Sequence, residues 1–106
     1  MYASIRTYRA APGSADALLH RVDRDFAEAL AGEPGFVAYQ AIDTGNDMVM
    51  TISIFQRADQ AEASADLAAE WVAEALADFN ITRVGVIDGV VKVSRAHAEM
   101  LEPAHS

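Results

Sequence analysis

The chain contains no cysteine and only 3 prolines among its 106 residues. Without cysteine it can form neither a disulfide framework nor a thiolate metal site. It also lacks any apolar run close to the roughly 20 residues needed to span a bilayer. Residues 1–6 enter a strand pattern directly, without the apolar segment of a secretory signal. These absences favour a cytoplasmic protein without a membrane partner.

Basic residues are scarce as well. Eight Lys and Arg residues stand against 16 Asp and Glu residues, which gives a formal net charge of −8. Sequence-independent binding of nucleic acid requires clustered Lys and Arg to neutralise phosphates, and anionic membrane surfaces attract the same clusters. The basic residues here are scattered, so we expect no nucleic-acid partner. The 52% apolar and 23% charged content is typical of a single globular domain.

The clearest structural signal is a β-hairpin between Gly35 and Phe55. Two alternating apolar runs, 36–42 and 48–55, are separated by the turn residues Thr44-Gly45-Asn46-Asp47. A cluster of turn residues between two period-two runs predicts two antiparallel strands.

The hairpin lies between two helical patterns, and a strand pattern lies beyond each helix. The first helix follows the N-cap candidate Ser14 and runs to about Ala31, and the second spans about Ala58 to Phe79. The outer strands are expected at about 2–9 and 81–87. The resulting order, βαββαβ, predicts an α+β, ferredoxin-like fold.

The C-terminal part carries a second turn signal. Asp88-Gly89 separates two apolar runs and predicts a two-residue turn into a short fifth strand, Val90 to Ser94. The remaining residues are polar and contain a proline, which favours a loose or briefly helical tail. We therefore expect one domain over residues 1–95 and a polar tail over 96–106.

The predicted sheet is apolar on both faces. A half-solvated antiparallel sheet should alternate apolar and polar residues more cleanly. Because two helices can cover only one face, the other must meet something else, and a second copy of the same sheet is the economical partner. We therefore expect a homodimer. The apolar residues on one face of the third strand are Met48, Met50, Ile52 and Ile54.

Trp71 and Leu67 are the first candidates for a site. Both lie on the second helix, displaced from the centre of its apolar stripe. Large apolar residues at that position indicate either the wall of a cleft or a core edge where the indole N–H finds a carbonyl. The sequence leaves both interpretations open.

The sheet offers polar candidates. Arg6 and Tyr8 share one face of the first strand, and Tyr39 lies on the second strand. A guanidinium and phenols opposite a tryptophan could orient an aromatic or acidic ligand, or they could be ordinary packed or ion-paired residues. Asn80, just after the second helix, is either a residue that ends the helix or an amide donor aimed at a cleft.

The sequence predicts no metal site. His20 lies opposite the core stripe of the first helix, and His97 and His105 lie in the tail. No spacing of histidine with histidine or carboxylate supplies the ligands of a zinc or di-iron centre.

The run Gly35-Phe36-Val37-Ala38-Tyr39-Gln40, followed by the turn and a strand of Met, Ile and Ser, resembles the antibiotic biosynthesis monooxygenase (ABM-like) family. The second helix bearing Trp71 also resembles that family, and the resemblance covers about residues 2–95. Because the family belongs to the dimeric α/β-barrel group, the resemblance implies a homodimer whose two sheets form a barrel. It also implies a cavity in each subunit between the sheet and the helices.

Some members of this family oxidise aromatic polyketide or quinol substrates with O₂ and without metal or flavin. The resemblance therefore implies a cofactor-independent monooxygenase acting on a hydrophobic aromatic metabolite. An electron-rich phenolate can itself pass an electron to O₂, so the protein supplies an apolar cavity and hydrogen-bond donors for the anion. The predicted catalytic residues are Trp71, Tyr39 and Tyr8, and the predicted ligand-binding residues are Arg6, Leu67, Phe55 and Asn80.

Two alternatives remain at this stage. One is a non-catalytic dimeric module that binds a small molecule or serves a structural role. The other is a haem-handling protein, but the haem-degrading branch of the family uses an asparagine on the first strand and a histidine on the second helix. This chain has neither residue at those places.

Overall fold

The computed structural model describes residues 1–75 and 79–95. The predicted tail over 96–106, with His97 and His105, lies outside the described residues, as do positions 76–78 of the predicted second helix. The elements, in chain order, are β1 (Tyr2–Arg9), α1 (Ala15–Arg21), a π-helical segment (Val22–Phe26), α2 (Ala27–Ala31), β2 (Phe36–Gly45), β3 (Met48–Phe55), α3 (Ala58–Ala75) and β4 (Thr82–Val90).

The four strands form one antiparallel sheet in the order β2-β3-β1-β4. The α+β, ferredoxin-like order predicted from the sequence is therefore confirmed. Burial alternates strictly along β3, where Val49, Thr51, Ser53 and Phe55 are buried and the intervening residues are half-buried. The helices pack on the buried side, and we call the opposite side the open face.

The predicted hairpin forms between β2 and β3. Asn46 and Asp47 both have positive φ, 55° and 62°, which is the geometry of a type I′ turn. Asn and Asp tolerate this left-handed region better than most residues. The turn fixes the register that places Tyr39 opposite Ser53, on the side covered by the helices.

The predicted fifth strand does not form. β4 continues through Asp88 and Gly89, which pair with Ser4 and Ala3 of β1. Neither residue has a positive φ, although a type I′ turn requires positive φ at both central positions. Straight pairing with the long edge of β1 satisfies more backbone groups than a turn would. Residues 91–95 are irregular.

The first helix contains a π-helical turn that the sequence did not indicate. Its buried residues recur at every fourth position: Leu18, Val22, Phe26 and Leu30. An α-helix advances 100° per residue, so a strict spacing of four would rotate the stripe by 40° at each step. The wider π turn absorbs part of this rotation, and Phe26 therefore stays on the buried side.

None of the described helices combines the length and apolar content that crossing a bilayer requires.

Gly35 precedes β2 and lies against the side chain of Gln60 in α3. Its replacement tests the packing between these two segments. It has φ +77°, and a Cβ at this position would collide with the side-chain amide of Gln60. The Gln60 Oε1 accepts a hydrogen bond from the Arg57 N–H at 3.1 Å, beside the start of α3. We expect Gly35→Ala to lower the free energy of unfolding by about 1.5–3.5 kcal/mol, since backbone strain of about 1–2 kcal/mol adds to the loss of the Gln60–Arg57 hydrogen bond, about 0.5–1.5 kcal/mol, when the Gln60 side chain moves away.

Gly13→Ala is the matched control for this prediction. Gly13 has nearly the same φ, +76°, but nothing lies within 4 Å of an added Cβ. Both variants are compared by urea unfolding at equal protein concentration. Equal losses of stability in the two variants would show that the contact with Gln60 contributes nothing.

Candidate functional site

A cavity lies between the helix-covered side of the sheet and the helices, and we call it the inner cavity. The space open to the centre of a water molecule is about 50 Å³. Its walls come from β1, the first helix, β2, β3 and α3, with Ile81 at one side. Most of the lining is apolar, and Val49, Leu18 and Leu30 belong to the buried core. The cavity is therefore a gap in the centre of the hydrophobic core.

Three aromatic rings meet at the inner cavity. Phe26 lies between the other two, with its ring centroid 5.2 Å from that of Trp71 and 5.7 Å from that of Tyr39. The planes of Phe26 and Tyr39 meet at 74°, an edge-to-face arrangement of the kind that aromatic pairs prefer. Because the π-helical segment ends at Phe26, that turn sets the position of the central ring. Flat apolar ligands suit walls of this kind.

Arg6 brings a cation to the same cavity. It lies on the helix-covered side of β1, opposite Thr51 of β3, and lines the cavity. Its Nε is buried and has no hydrogen-bond partner. A buried donor without a partner costs free energy and is rare in native structures, so each instance needs an explanation. An acceptor atom of a bound ligand would satisfy this N–H.

Tyr39 contributes a phenol that resists ionisation. Burial raises the pKa of Tyr39 well above its usual value, the nearby Tyr8 raises this pKa further, and the Arg6 guanidinium acts in the opposite direction. At neutral pH the Tyr39 side chain is therefore an O–H donor and not a phenolate. With Arg6 it gives the inner cavity two donors for an anionic oxygen.

A second, more open depression adjoins the inner cavity, and we call it the outer cleft. Its volume is about 360 Å³ by the same measure. The two spaces are adjacent, since five residues line both of them: Arg6, Tyr8, Ala68, Val72 and Ile81. The residues that line only the cleft are Ala65, Ala69, Ala73 and Arg83.

The structure brings together four of the seven residues predicted from the sequence. Trp71, Tyr39, Tyr8 and Arg6 all line the inner cavity. From its position on the helix, Trp71 was expected either in the wall of a cleft or at the edge of the core. The structure shows both, because the ring lines the inner cavity and packs against the core.

The other three predicted residues lie outside the described linings of both spaces. Phe55 is 0% exposed and packs edge-to-face against Phe36 in the core. Leu67 is half-buried against the core. Asn80 is exposed, with φ 49°, in the turn that follows Phe79. These positions are those of core and turn residues.

Phe26 and Arg83 are lining residues that the sequence did not single out. Phe26 was part of the apolar stripe of the first helix, and nothing in the stripe distinguishes a cavity wall from a core contact. Arg83 lines the outer cleft because β4 pairs with β1. In that pairing it lies opposite Tyr8, beside a β-bulge. The register at a bulge follows from tertiary pairing, so the strand pattern alone could not place this side chain.

No protein-family model matches the sequence, and no curated protein matches it. Solved structures do match. A protein from Chloroflexus aurantiacus, provisionally named an antibiotic biosynthesis monooxygenase, is 19% identical over 90% of this chain and 96% of its own, with a TM-score of 0.69. The chain has the ABM fold. The resemblance predicted from the sequence is thus confirmed at the level of the fold.

Two further structural neighbours differ in what their names report. The heme-degrader MhuD from Mycobacterium tuberculosis, solved with two hemes in its active site, is 18% identical over 91% of this chain and 100% of its own, with a TM-score of 0.70. A dimeric ferredoxin-like protein from an uncultured marine organism is 12% identical over 91% and 97%, with a TM-score of 0.68. At these identities the likeness shows the fold, and the site must be judged from its own residues.

The inner cavity of this ABM-fold chain does not fit haem. Its described lining contains no histidine, cysteine or methionine to ligate iron. The raised pKa of Tyr39 also opposes a tyrosinate ligand. Within residues 1–75 and 79–95, no group of three His, Cys, Asp or Glu residues could hold a metal ion.

Proposed function

We propose that this protein is an ABM-like homodimer that binds a hydrophobic aromatic metabolite, polyketide-like or quinol-like, in the inner cavity. We propose further that it oxidises this metabolite with O₂ and without metal or flavin. The observation that carries the proposal is the combination, in one apolar cavity, of four aromatic side chains with the unpartnered Nε–H of Arg6. The ABM fold of the chain supports the same assignment.

The residues of the cavity take separate roles in this proposal. Trp71 and Phe26 hold the flat ring of the substrate by stacking. Arg6 and Tyr39 donate hydrogen bonds to the substrate's phenolate oxygen, and the low dielectric of the cavity strengthens both. Tyr8, which lines both the inner cavity and the outer cleft, exchanges the phenolic proton with the outside. The substrate thereby becomes an anion that can reduce O₂.

The proposed reaction needs no external reductant. A phenol with a hydrogen on the ring carbon para to its hydroxyl loses that C–H bond and the O–H bond. One oxygen atom of O₂ becomes the new carbonyl oxygen of the quinone, and the other leaves as water with both hydrogen atoms. The phenol gives up four electrons and O₂ accepts four. The electrons therefore balance within the two reactants, and the protein's task is to position and stabilise charge.

The open face supports the homodimer. Ile87, Ile5 and Ile52 lie in one row across β4, β1 and β3, and Ile87 is 69% exposed. Met50 and Ile42 form part of the next row, where Ile42 is also exposed. The described helices cover the opposite side. Exposed apolar residues grouped in this way favour an interface, and a second copy related by a two-fold axis would cover them with the same surface.

A second function has an observation in its favour. The described lining of the inner cavity contains no histidine and no carboxylate, so no strong general base is at hand. This absence favours a non-catalytic dimer that binds or presents the same kind of ligand. The two functions predict the same binding and differ only in whether oxygen is consumed.

A measurement of oxygen uptake distinguishes the catalytic from the non-catalytic function. The protein is mixed with a panel of dihydroxynaphthalenes, anthrones and quinols in an oxygen electrode, and quinone formation is followed by absorbance. We expect at least one compound with a hydrogen para to a hydroxyl to give one quinone per O₂ consumed without hydrogen peroxide, which the two-electron oxidation of a quinol would release in place of water. Tyr39→Phe should lower the rate about 100-fold, the effect of losing one donor to a developing anion, and Trp71→Ala should abolish turnover.

Tyr2→Phe is the matched control, since Tyr2 lies on the same side of β1 and packs against the core without lining the cavity. Its rate should equal that of the wild type. Binding of the aromatic compounds with no oxygen uptake from any of them would establish the non-catalytic dimer instead.

A further inference from the structure

Arg6 and Arg83 lie on neighbouring strands at the same side of the sheet. Arg83 of β4 pairs with Tyr8 of β1, which is two residues from Arg6 and points to the same side. Both arginines line the outer cleft. Two cations are thus diagonal neighbours across the β1–β4 pair, within reach of a single group bound in the cleft.

No carboxylate of the described residues neutralises this pair. The net charge is −8, and Arg21, Arg24 and Arg57 each lie within 3.3 Å of an aspartate carboxylate. Over residues 1–75 and 79–95, neither Arg6 nor Arg83 forms such an ion pair, and no described carboxylate lines the outer cleft. Like charges side by side destabilise a strand pair, and an anion between them would remove that cost.

The rest of the outer cleft leaves room for such an anion. Ala65, Ala69 and Ala73 present only methyl groups from α3, and the cleft is about seven times larger than the inner cavity by the volumes given above. Arg6 and Tyr8 line both spaces, so a ligand that extends from the inner cavity past them comes close to Arg83. The apolar end of the ligand then lies inside, and a charged end lies outside.

We propose that the ligand of this protein carries a carboxylate, or a group of the same charge and shape, that is held between Arg6 and Arg83 in the outer cleft. The planar guanidinium donates two parallel hydrogen bonds to a carboxylate, which makes arginine the best-suited side chain for this recognition. The inference deepens the proposed function and rests on its assignment of the aromatic body to the inner cavity. It defines the substrate class as aromatic acids.

Calorimetric titration with a matched pair of compounds tests this. The compounds are 2-naphthoate and 2-naphthamide, which share ring and shape but differ in charge. We expect the wild type to bind the naphthoate about tenfold more tightly than the amide, the scale of one charge-assisted hydrogen bond. Arg83→Gln should remove this preference and leave the affinity for the amide unchanged.

Arg57→Gln is the control, because it removes the same charge at an exposed position that lines neither space. It should keep the full preference for the naphthoate. Equal affinity of the wild type for the two compounds, or equal loss of preference in both variants, overturns the inference while the aromatic cavity stands. Failure of both compounds to bind overturns the inference together with the proposed function.

Discussion

Replacing Phe55 with alanine is expected to lower the free energy of unfolding by about 3–5 kcal/mol. Phe55 is 0% exposed and is one of the two largest fully buried side chains among the described residues. Its ring packs edge-to-face on Phe36 at a centroid distance of 5.9 Å, and Tyr2 and Phe36 lie opposite it on the two flanking strands. Truncation leaves a hole between three strands that the sheet cannot close.

Urea unfolding followed by circular dichroism measures this loss, with the concentration of protein held constant because dimerisation contributes to stability. Phe36→Ala is the comparison, since Phe36 belongs to the same ring pair but is only half-buried; its loss should be clearly smaller. A loss below about 1.5 kcal/mol for Phe55→Ala, or a larger loss for Phe36→Ala, would contradict the burial of Phe55.

Replacing Ile52 with glutamate is expected to convert the proposed dimer into monomers. Ile52 lies on β3, an inner strand of the sheet, in the row with Ile5 and Ile87 on the open face. If two open faces meet about a two-fold axis, a dimer of the Ile52→Glu variant buries two unpaired carboxylates, one from each protomer. An uncompensated buried charge costs several kcal/mol, so two such charges exceed what a small interface can retain.

Sedimentation at low micromolar concentration measures the assembly state of this variant. The wild type should sediment at twice the protomer mass, and Ile52→Glu at the protomer mass. Ala63→Glu is the control, because it adds the same charge at an exposed position of α3 and should leave the dimer intact. A wild type that is a stable, folded monomer at this concentration would refute the dimer.

The parts of the fold that depend on local chemistry could be predicted from the sequence. The hairpin turn at Asn46 and Asp47 follows from the φ values that these residues tolerate. The two helices follow from their apolar stripes. Alternation predicted the two-sided strands and placed Arg6 and Tyr8 on one face of β1; the strand pairing shows that this face is the helix-covered side, together with Tyr39.

The parts that depend on distant pairing could not be predicted. Asp88-Gly89 is a typical turn sequence, but its residues remain extended because they pair with Ser4 and Ala3 of β1. Alternation along β3 places Phe55 on the same face as Thr51 and Ser53. It does not show that Phe55 lies in the core whereas Thr51 and Ser53 line the inner cavity. Arg83 lines the outer cleft because Val84 forms a bulge in β4 opposite Thr7 and Tyr8 of β1, a feature that no local pattern indicates.

The π-helical segment also bears on how this wall of the inner cavity tolerates a change in chain length. A π turn is an α-helical turn with one inserted residue. Removing one residue from between Val22 and Phe26 would leave the three later buried residues at offsets of 4, 7 and 11 from Leu18, which an α-helix places within about 40° of one stripe. Such a deletion is therefore expected to remove the local widening beside the Phe26 ring while Leu30 stays on the buried side.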